Sequence, residues 1–350
     1  MKNKTVIDLA EQLADQRRLT RTEYAELIRF RTDETAAYLA GRADGIRREI
    51  YGNHIYIRGL IEISNICRND CYYCGIRHSN DRCKRYRLSK QQILDCCREG
   101  YDLGFRTFVM QGGEGTYPAG QIADIAAAVK ERYPDCAVTL SLGEYTRGEY
   151  QIMRNAGADR YLLRHETADR THYKKLHPPS MSFENRMRCL YDLKELGFQV
   201  GCGFMVGSPY QTEENLAEDL MFIQEFAPEM CGIGPFIPNR DTPFGKMPAG
   251  SGELTLYLLS VIRLIKPDIL LPATTALGTV MEDGRERGIL AGANVVMPNL
   301  SPLSERRKYT LYHNKICTGE ESAQNIAVLK DHMRSLGYQI VTARGDIIKR

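Results

Sequence analysis

From residue 55 onward the chain alternates short apolar runs with longer stretches whose apolar residues recur every three or four positions. The runs are "IYIRGLIEIS" (55–64), "TFVMQGGE" (107–114), "AVTLSLGE" (137–144), "RYLLRHE" (160–166), "QVGCGFMVG" (199–207), "MCGIGPF" (230–236), "ILLPATTA" (269–276) and "NVVMPN" (294–299), eight in all. Runs of this length read as strands. Helical patterns lie between them: residues 89–104, where Ser89 and Gln92 can form a capping box, then 121–133, 184–196, 213–226 and 253–265. Strand and helix in alternation predict parallel pairing. Eight such units predict an α/β fold of the (β/α)8 TIM barrel type in preference to an open doubly wound sheet. Residues 1–50 carry two or three charged amphipathic helices and no strand signal, which predicts a helical cap or plug at the barrel bottom. Residues 51–317 then form the barrel, and 318–350, with a helix over 321–336, close it.

Composition narrows the classes. The 350 residues are 43% hydrophobic, with 47 Lys and Arg against 44 Asp and Glu, so bulk charge gives no reason to expect a nucleic-acid binder. A chain of this length buries enough surface to fold without metal or disulfides, so a metal site is expected to serve function. The N-terminal residues lack a signal-peptide apolar core and no run approaches a membrane span, which predicts a cytoplasmic protein. Eleven cysteines there are expected to stay mostly reduced. Cys96, Cys97, Cys136, Cys189, Cys202 and Cys231 sit in periodic apolar segments and read as small buried hydrophobes.

One group of thiols stands apart. "ISNICRNDCYYCGIRHSN" (63–80) gathers Cys67, Cys71 and Cys74 in the loop after the first strand, at the barrel end where catalytic residues are mounted. With His78 they could close a tetrahedral zinc site, although the spacing does not match the usual zinc knuckles. An iron-sulfur cluster on three thiolates would instead leave one iron open to a further ligand.

The pattern C-x3-C-x2-C, with aromatic Tyr73 before the last cysteine, resembles the signature of the radical S-adenosylmethionine (SAM) superfamily. The resemblance implies one four-iron, four-sulfur cluster on Cys67, Cys71 and Cys74, SAM at its open iron, and a solvated His78. "QGGE" (Gln111, Gly112, Gly113, Glu114) resembles the motif that meets the amino group of SAM, its glycines permitting close backbone approach. Arg164 and Glu166 should share one side of the fourth strand by its two-residue period. The family likeness then gives Glu166 to the ribose and Arg186 to the methionine carboxylate through a charge-assisted fork. Ser141 and Ile233, the latter in the glycine-rich sixth run that packs on adenine, complete the implied cofactor contacts.

Longer strings, among them "IEISNICRNDCYYCGIR", "ADRYLLRHET", "GIGPFIPNRDTP" and "PATTALGT", resemble the HydE family of iron-iron hydrogenase maturases over about residues 20–317. Biotin synthases and methylornithine synthases are more distant relatives with the same barrel. That resemblance implies reductive SAM cleavage to a 5′-deoxyadenosyl radical acting on a small cysteine-bearing iron species with carbon monoxide and cyanide ligands. It also implies a one-electron donor such as ferredoxin or flavodoxin, contact with other maturases, and no nucleic-acid or membrane partner. The alternatives are an amino-acid-like substrate, or a scaffold carrying an iron fragment without turnover. Arg160, Thr274, Thr275, Asn299 and Tyr309, polar groups near strand ends or the closing segment that suit an anionic or amino-acid-like ligand, are candidate substrate contacts, and Met297 is a further candidate. Some family members bear a second cluster near the C-terminus. Here Cys317 is the last cysteine, so it is expected to be a lone thiol.

Overall fold

A computed structural model describes residues 5–316 and 322–348; Cys317 lies outside them. The first apolar run forms two strands, β1 (His54–Ile57) and β2 (Gly59–Ser64), separated by Arg58. Its ladder to the last run is unbroken, since Tyr56, Arg58 and Leu60 donate N–H groups to the carbonyls of Asn294, Val296 and Pro298. The later strands are β3 (Thr107–Gly112), β4 (Ala137–Ser141), β5 (Arg160–Leu162), β6 (Gln199–Cys202), β7 (Met205–Val206), β8 (Met230–Cys231), β9 (Gly234–Pro235), β10 (Val295–Val296) and β11 (Gln339–Val341). β2, β3, β4, β5, β6 and β8 pair in that order, every pair parallel.

The ring closes through single bridges: Met230 to Leu270, Pro272 to Val295, and Asn299 back to Leu60. The seventh run forms only bridges because the chain enters the helix Thr275–Val280 straight after it. The expected helices are present. Ser89 and Gln92 make the capping box of Lys90–Asp102, and Ala119–Arg132, Phe183–Glu195, Glu213–Phe226 and Gly252–Ile265 follow their patterns.

The N-terminal helices correct one expectation. Arg21–Arg29 packs on Glu213–Phe226, and Asp33–Tyr51 packs on Gly252–Ile265, so these helices flank the barrel. The physical reason is that Gly252–Ile265 is apolar on nearly every side and buried throughout its length from Thr255, which requires a second layer outside it. Tyr257 pins that layer by donating to the Leu27 carbonyl at 2.9 Å.

The C-terminal tail closes the bottom. Thr107, Arg160 and Gln199, which open β3, β5 and β6, all bind it. Arg344 O accepts from Thr107 Oγ1 at 2.7 Å and Arg160 Nη2 at 2.9 Å, while Asp346 Oδ1 accepts from Arg160 Nη2 at 2.5 Å and Gln199 Nε2 at 3.0 Å. Arg160 is thus removed from the candidate substrate contacts: it is fully buried at the opposite end of the barrel from the cysteine loop, its charge met by Asp346. Met297 goes with it, packed against Tyr51, Tyr56, Met230, Leu270 and Val295.

Candidate functional site

The cysteine loop leaves the top of β2, and the three thiols of Cys67, Cys71 and Cys74, free and half-buried, line one cavity of about 300 Å³. Two devices hold the loop. At Gly113 a Cβ would collide with the Ile66 carbonyl, so the end of β3 presses against the loop only because this residue is glycine. On the other side the Arg85 guanidinium donates to the carbonyls of Asn65, Ile76, Arg77, His78 and Asn80 at 2.6–3.3 Å. His78 is exposed and lies outside the cavity lining.

Burial raises all three thiol pKa values. Cys71 is pushed well up by burial and by its neighbours Cys74 and Cys67, and Cys74 is pushed up to about 12. Such thiols keep their protons until a cationic centre displaces them. Among the described residues no three Cys, His, Asp or Glu side chains converge as a single ion requires. The three thiols line one cavity, and three thiolates facing a shared space are a donor set that a multi-iron cluster can take.

Tyr73 has a partner that sequence reasoning missed. Its hydroxyl lies 3.1 Å from His177 Nε2, and His177 Nδ1 lies 2.9 Å from the Tyr173 carbonyl. A carbonyl only accepts, so Nδ1 carries the proton and Nε2 accepts from Tyr73. Burial lowers the His177 pKa to about 3, which keeps the ring neutral and the tautomer fixed. "KLHPPS" gave no signal of this, because the contact joins segments a hundred positions apart.

On the β3 and β4 side, Glu114 is clamped between Arg68 at 3.1 Å and Arg186 at 3.3 Å. Arg186 Nε lies 2.8 Å from Glu144, whose other oxygen accepts from Asn185 at 2.5 Å. Burial opposes charge on Arg186, yet Glu114 and Glu144 outweigh it and hold the guanidinium charged; burial and the neighbouring carboxylate raise the Glu144 pKa. The Arg186 guanidinium expected to meet a ligand carboxylate is already ion-paired with two protein carboxylates, its Nε and Glu144 Oε1 making no hydrogen bond among the described residues. Glu144 was also missed, although "SLGE" after β4 repeats the Gly-Glu ending of "QGGE" after β3. Gly143, at φ 83°, leaves room for the Glu114 side chain that a Cβ there would occupy.

Arg164 and Glu166 meet at the cavity, but not for the expected reason. β5 ends at Leu162, and Glu166 adopts a left-handed φ of 65°, fixed by its N–H on Gly203 O and its carbonyl accepting from Met205 N–H. Regular strand alternation thus does not align the pair; beyond β5 an irregular segment, with Glu166 bridged in parallel to Phe204, brings Arg164 Nη2 to 3.2 Å from Glu166 Oε2. Among the described residues neither atom, nor Arg164 Nε, nor Thr274 Oγ1, makes a hydrogen bond, although all are buried. Unpartnered polar atoms on a cavity wall are what a polar ligand would satisfy.

Gln111, Gly112, Ser141, Thr274 and Tyr309 also line the cavity, with Gln111 donating to Tyr309 Oη at 3.3 Å. Three candidates do not. Ile233 turns into the hydrophobic core while its neighbours Gly234, Pro235 and Phe236 face the cavity, Thr275 opens a helix, and Asn299 is spent on Glu62 Oε2 and Ser301 N–H. Glu62 also binds Lys315, which pins the segment bearing Tyr309, Leu311 and Tyr312 over the barrel mouth. The donor set as a whole fits a cluster on three thiolates beside a zwitterionic, hydroxyl-bearing ligand.

Comparison with known proteins agrees. Residues 61–223 match the family model of the radical SAM superfamily. The chain is 43% identical to the [FeFe] hydrogenase maturase subunit HydE of Thermotoga maritima over 331 residues, 94% of each protein. It is 25% identical to 3-methylornithine synthase of Methanosarcina acetivorans over 94% of this chain and 92% of that one. Among solved structures, methylornithine synthase (PylB) superposes with a TM-score of 0.80 at 24% identity, covering 95% of this chain and 97% of that one. The hydrogenase maturase HydG superposes with a TM-score of 0.80 at 21% identity, covering 96% and 76%. The chain belongs to the radical SAM superfamily and, within it, to the HydE family: it is a radical SAM enzyme, of a kind that works with a four-iron, four-sulfur cluster and SAM.

Proposed function

We propose that this enzyme serves assembly of the di-iron subcluster of iron-iron hydrogenase, acting on a small cysteine-bearing iron species with carbon monoxide and cyanide ligands. One observation carries the site assignment: three thiols, Glu114 and Arg186, the Arg164–Glu166 ion pair and Thr274 all line one cavity, with Glu144 holding Arg186 from behind. Cys67, Cys71 and Cys74 would hold the cluster. Bound there with SAM, it supplies the electron that cleaves the sulfonium into methionine and a 5′-deoxyadenosyl radical.

The protein's own part is orientation and exclusion of water. Glu114, held by two arginines, stands ready for the SAM amino group, and Glu166 accepts from the ribose hydroxyls. Tyr73, fixed by His177, fills the space beside Cys74. Arg164 and Thr274 present donors to an anionic substrate deeper in the barrel, under the segment that Lys315 holds down. A closed barrel confines a species that would otherwise abstract hydrogen from whatever it met. The electron comes from a ferredoxin-like or flavodoxin-like protein, in a cytoplasmic setting that keeps the thiols reduced.

The test is complementation. In a cell whose iron-iron hydrogenase is inactive for want of its HydE protein, this chain should restore hydrogen evolution and the Cys71→Ala variant should not. If the chain cleaves SAM in vitro but restores no hydrogenase, its substrate lies elsewhere in the superfamily.

A further inference from the structure

The solvent side of the cysteine loop carries charge that the cavity does not use. Residues 77–90 contain six Lys or Arg and one Asp, in a chain whose totals are 47 and 44. This stretch is folded onto the loop: His78 N–H donates to Asn69 O at 2.8 Å, and Ser79 N–H and hydroxyl both reach Asp70 Oδ1 at 2.8 Å. Its residues His78, Ser79, Asp81, Arg82 and Lys84 are exposed.

Some of its cations have structural employment. Arg85 is wrapped in carbonyls, Arg87 lies over the Tyr117 ring and Lys90 pairs with Asp124. Others do not. Lys84 is exposed with no side-chain partner among the described residues. The Arg82 side chain is 76% exposed and pairs with Asp241, the neighbour in sequence of the exposed Arg240. Asn65 Nδ2 donates to both Lys84 O and Lys308 O, which brings these two segments together, and the exposed Arg307 lines one surface cleft with Arg240 and Asp241. The segments that bear these four cations meet beside the loop, where Gly75 N–H donates to Leu311 O and Asn239 Nδ2 to Thr310 O, with the acidic Asp81 and Asp241 among them.

We propose that Arg82, Lys84, Arg240 and Arg307 form the docking surface for a small acidic one-electron carrier protein. This rests on the reading that the thiols hold the cluster. The electron must reach the thiols, and a positive face on the segments beside their loop steers a negative partner into that approach. Such encounters need only a small interface, matching a patch of a few long side chains. In the transfer the carrier loses one electron and the cluster gains it; no proton or group moves.

The experiment uses the cluster-loaded enzyme and a reduced acidic ferredoxin as probe, comparing wild type with the charge-reversed Lys84→Glu/Arg240→Glu variant and the neutral Lys84→Gln/Arg240→Gln. Binding is read by titration calorimetry and reduction by bleaching of the cluster in stopped flow. At low salt, charge reversal should lower both ferredoxin affinity and the second-order rate by about tenfold or more, with the neutral variant between, and the difference should close at about 0.5 M salt. Dithionite, too small to need a docking face, should bleach all three proteins alike. Equal ferredoxin binding and rates at low salt, with normal dithionite bleaching, would overturn the docking surface alone. Failure of dithionite to bleach any of them would overturn the cluster reading, and the docking with it.

Discussion

His177 is a group whose charge the cysteine pocket resists: burial holds its pKa near 3 against an ordinary 6.5. The unfolded chain therefore binds this proton before the native state does. Its contribution to stability is complete above about pH 6.5 and is lost as pH falls from there toward 3. His165, likewise buried and lowered to about 3, acts in the same direction. Thermal unfolding should accordingly shift to lower temperature between pH 6.5 and 4.5, and His177→Gln should show a shallower acid limb; an unchanged limb would mean that His177 is not neutral in the fold. Glu166→Gln should weaken SAM binding about tenfold to a hundredfold by calorimetry, the range for hydrogen bonds to a charged group, with little change in melting temperature. The two residues differ in legibility. Glu166 was found from its motif, but its left-handed backbone was not, because that is set by Gly203 and Met205 on the neighbouring strand. His177 left no local trace at all.

The cysteine loop shows the same division. Its thiols were legible as a group because all three lie within eight positions, although spacing left zinc and iron both open and the cluster came from the family resemblance. What shapes the loop was not legible: no local signal showed that the Arg85 guanidinium would be wrapped in carbonyls, and Gly113, which lines the cavity as its motif implied, also serves close contact with Ile66. Arg85→Met would leave five carbonyls without this donor. Net losses of about 1–3 kcal/mol per strong bond to a charged group predict local opening of the loop. Faster loss of iron to a chelator, with the barrel's circular dichroism unchanged, is the expected result. Retention equal to wild type would show that the loop holds its form without Arg85. The seventh strand marks a similar limit, since the run 269–276 was apolar enough for a strand but forms only bridges before the helix at Thr275.

Across the whole barrel, periodicity announced the eight units, because each strand's burial is written in its own residues. The placement of the two ends was not so written. An amphipathic N-terminal helix states that it needs an apolar partner, not which one, and here the partner is the barrel's flank. The tail, nearly featureless in sequence, closes the bottom through Asp346 and Arg160. Asp346→Ala should therefore cost about 1–3 kcal/mol in chemical denaturation, discounted for partial exposure of the carboxylate, and leave SAM affinity untouched. A change in SAM affinity would return Arg160 to the functional end. The central claim, that Cys67, Cys71 and Cys74 seat a cluster that cleaves SAM reductively, is tested most directly by anaerobic reconstitution with iron and sulfide followed by dithionite and SAM. The expected result is about four irons per chain and 5′-deoxyadenosine formation, both lost in Cys71→Ala. One tightly bound zinc without visible absorbance, or deoxyadenosine formation that survives Cys71→Ala, would contradict it.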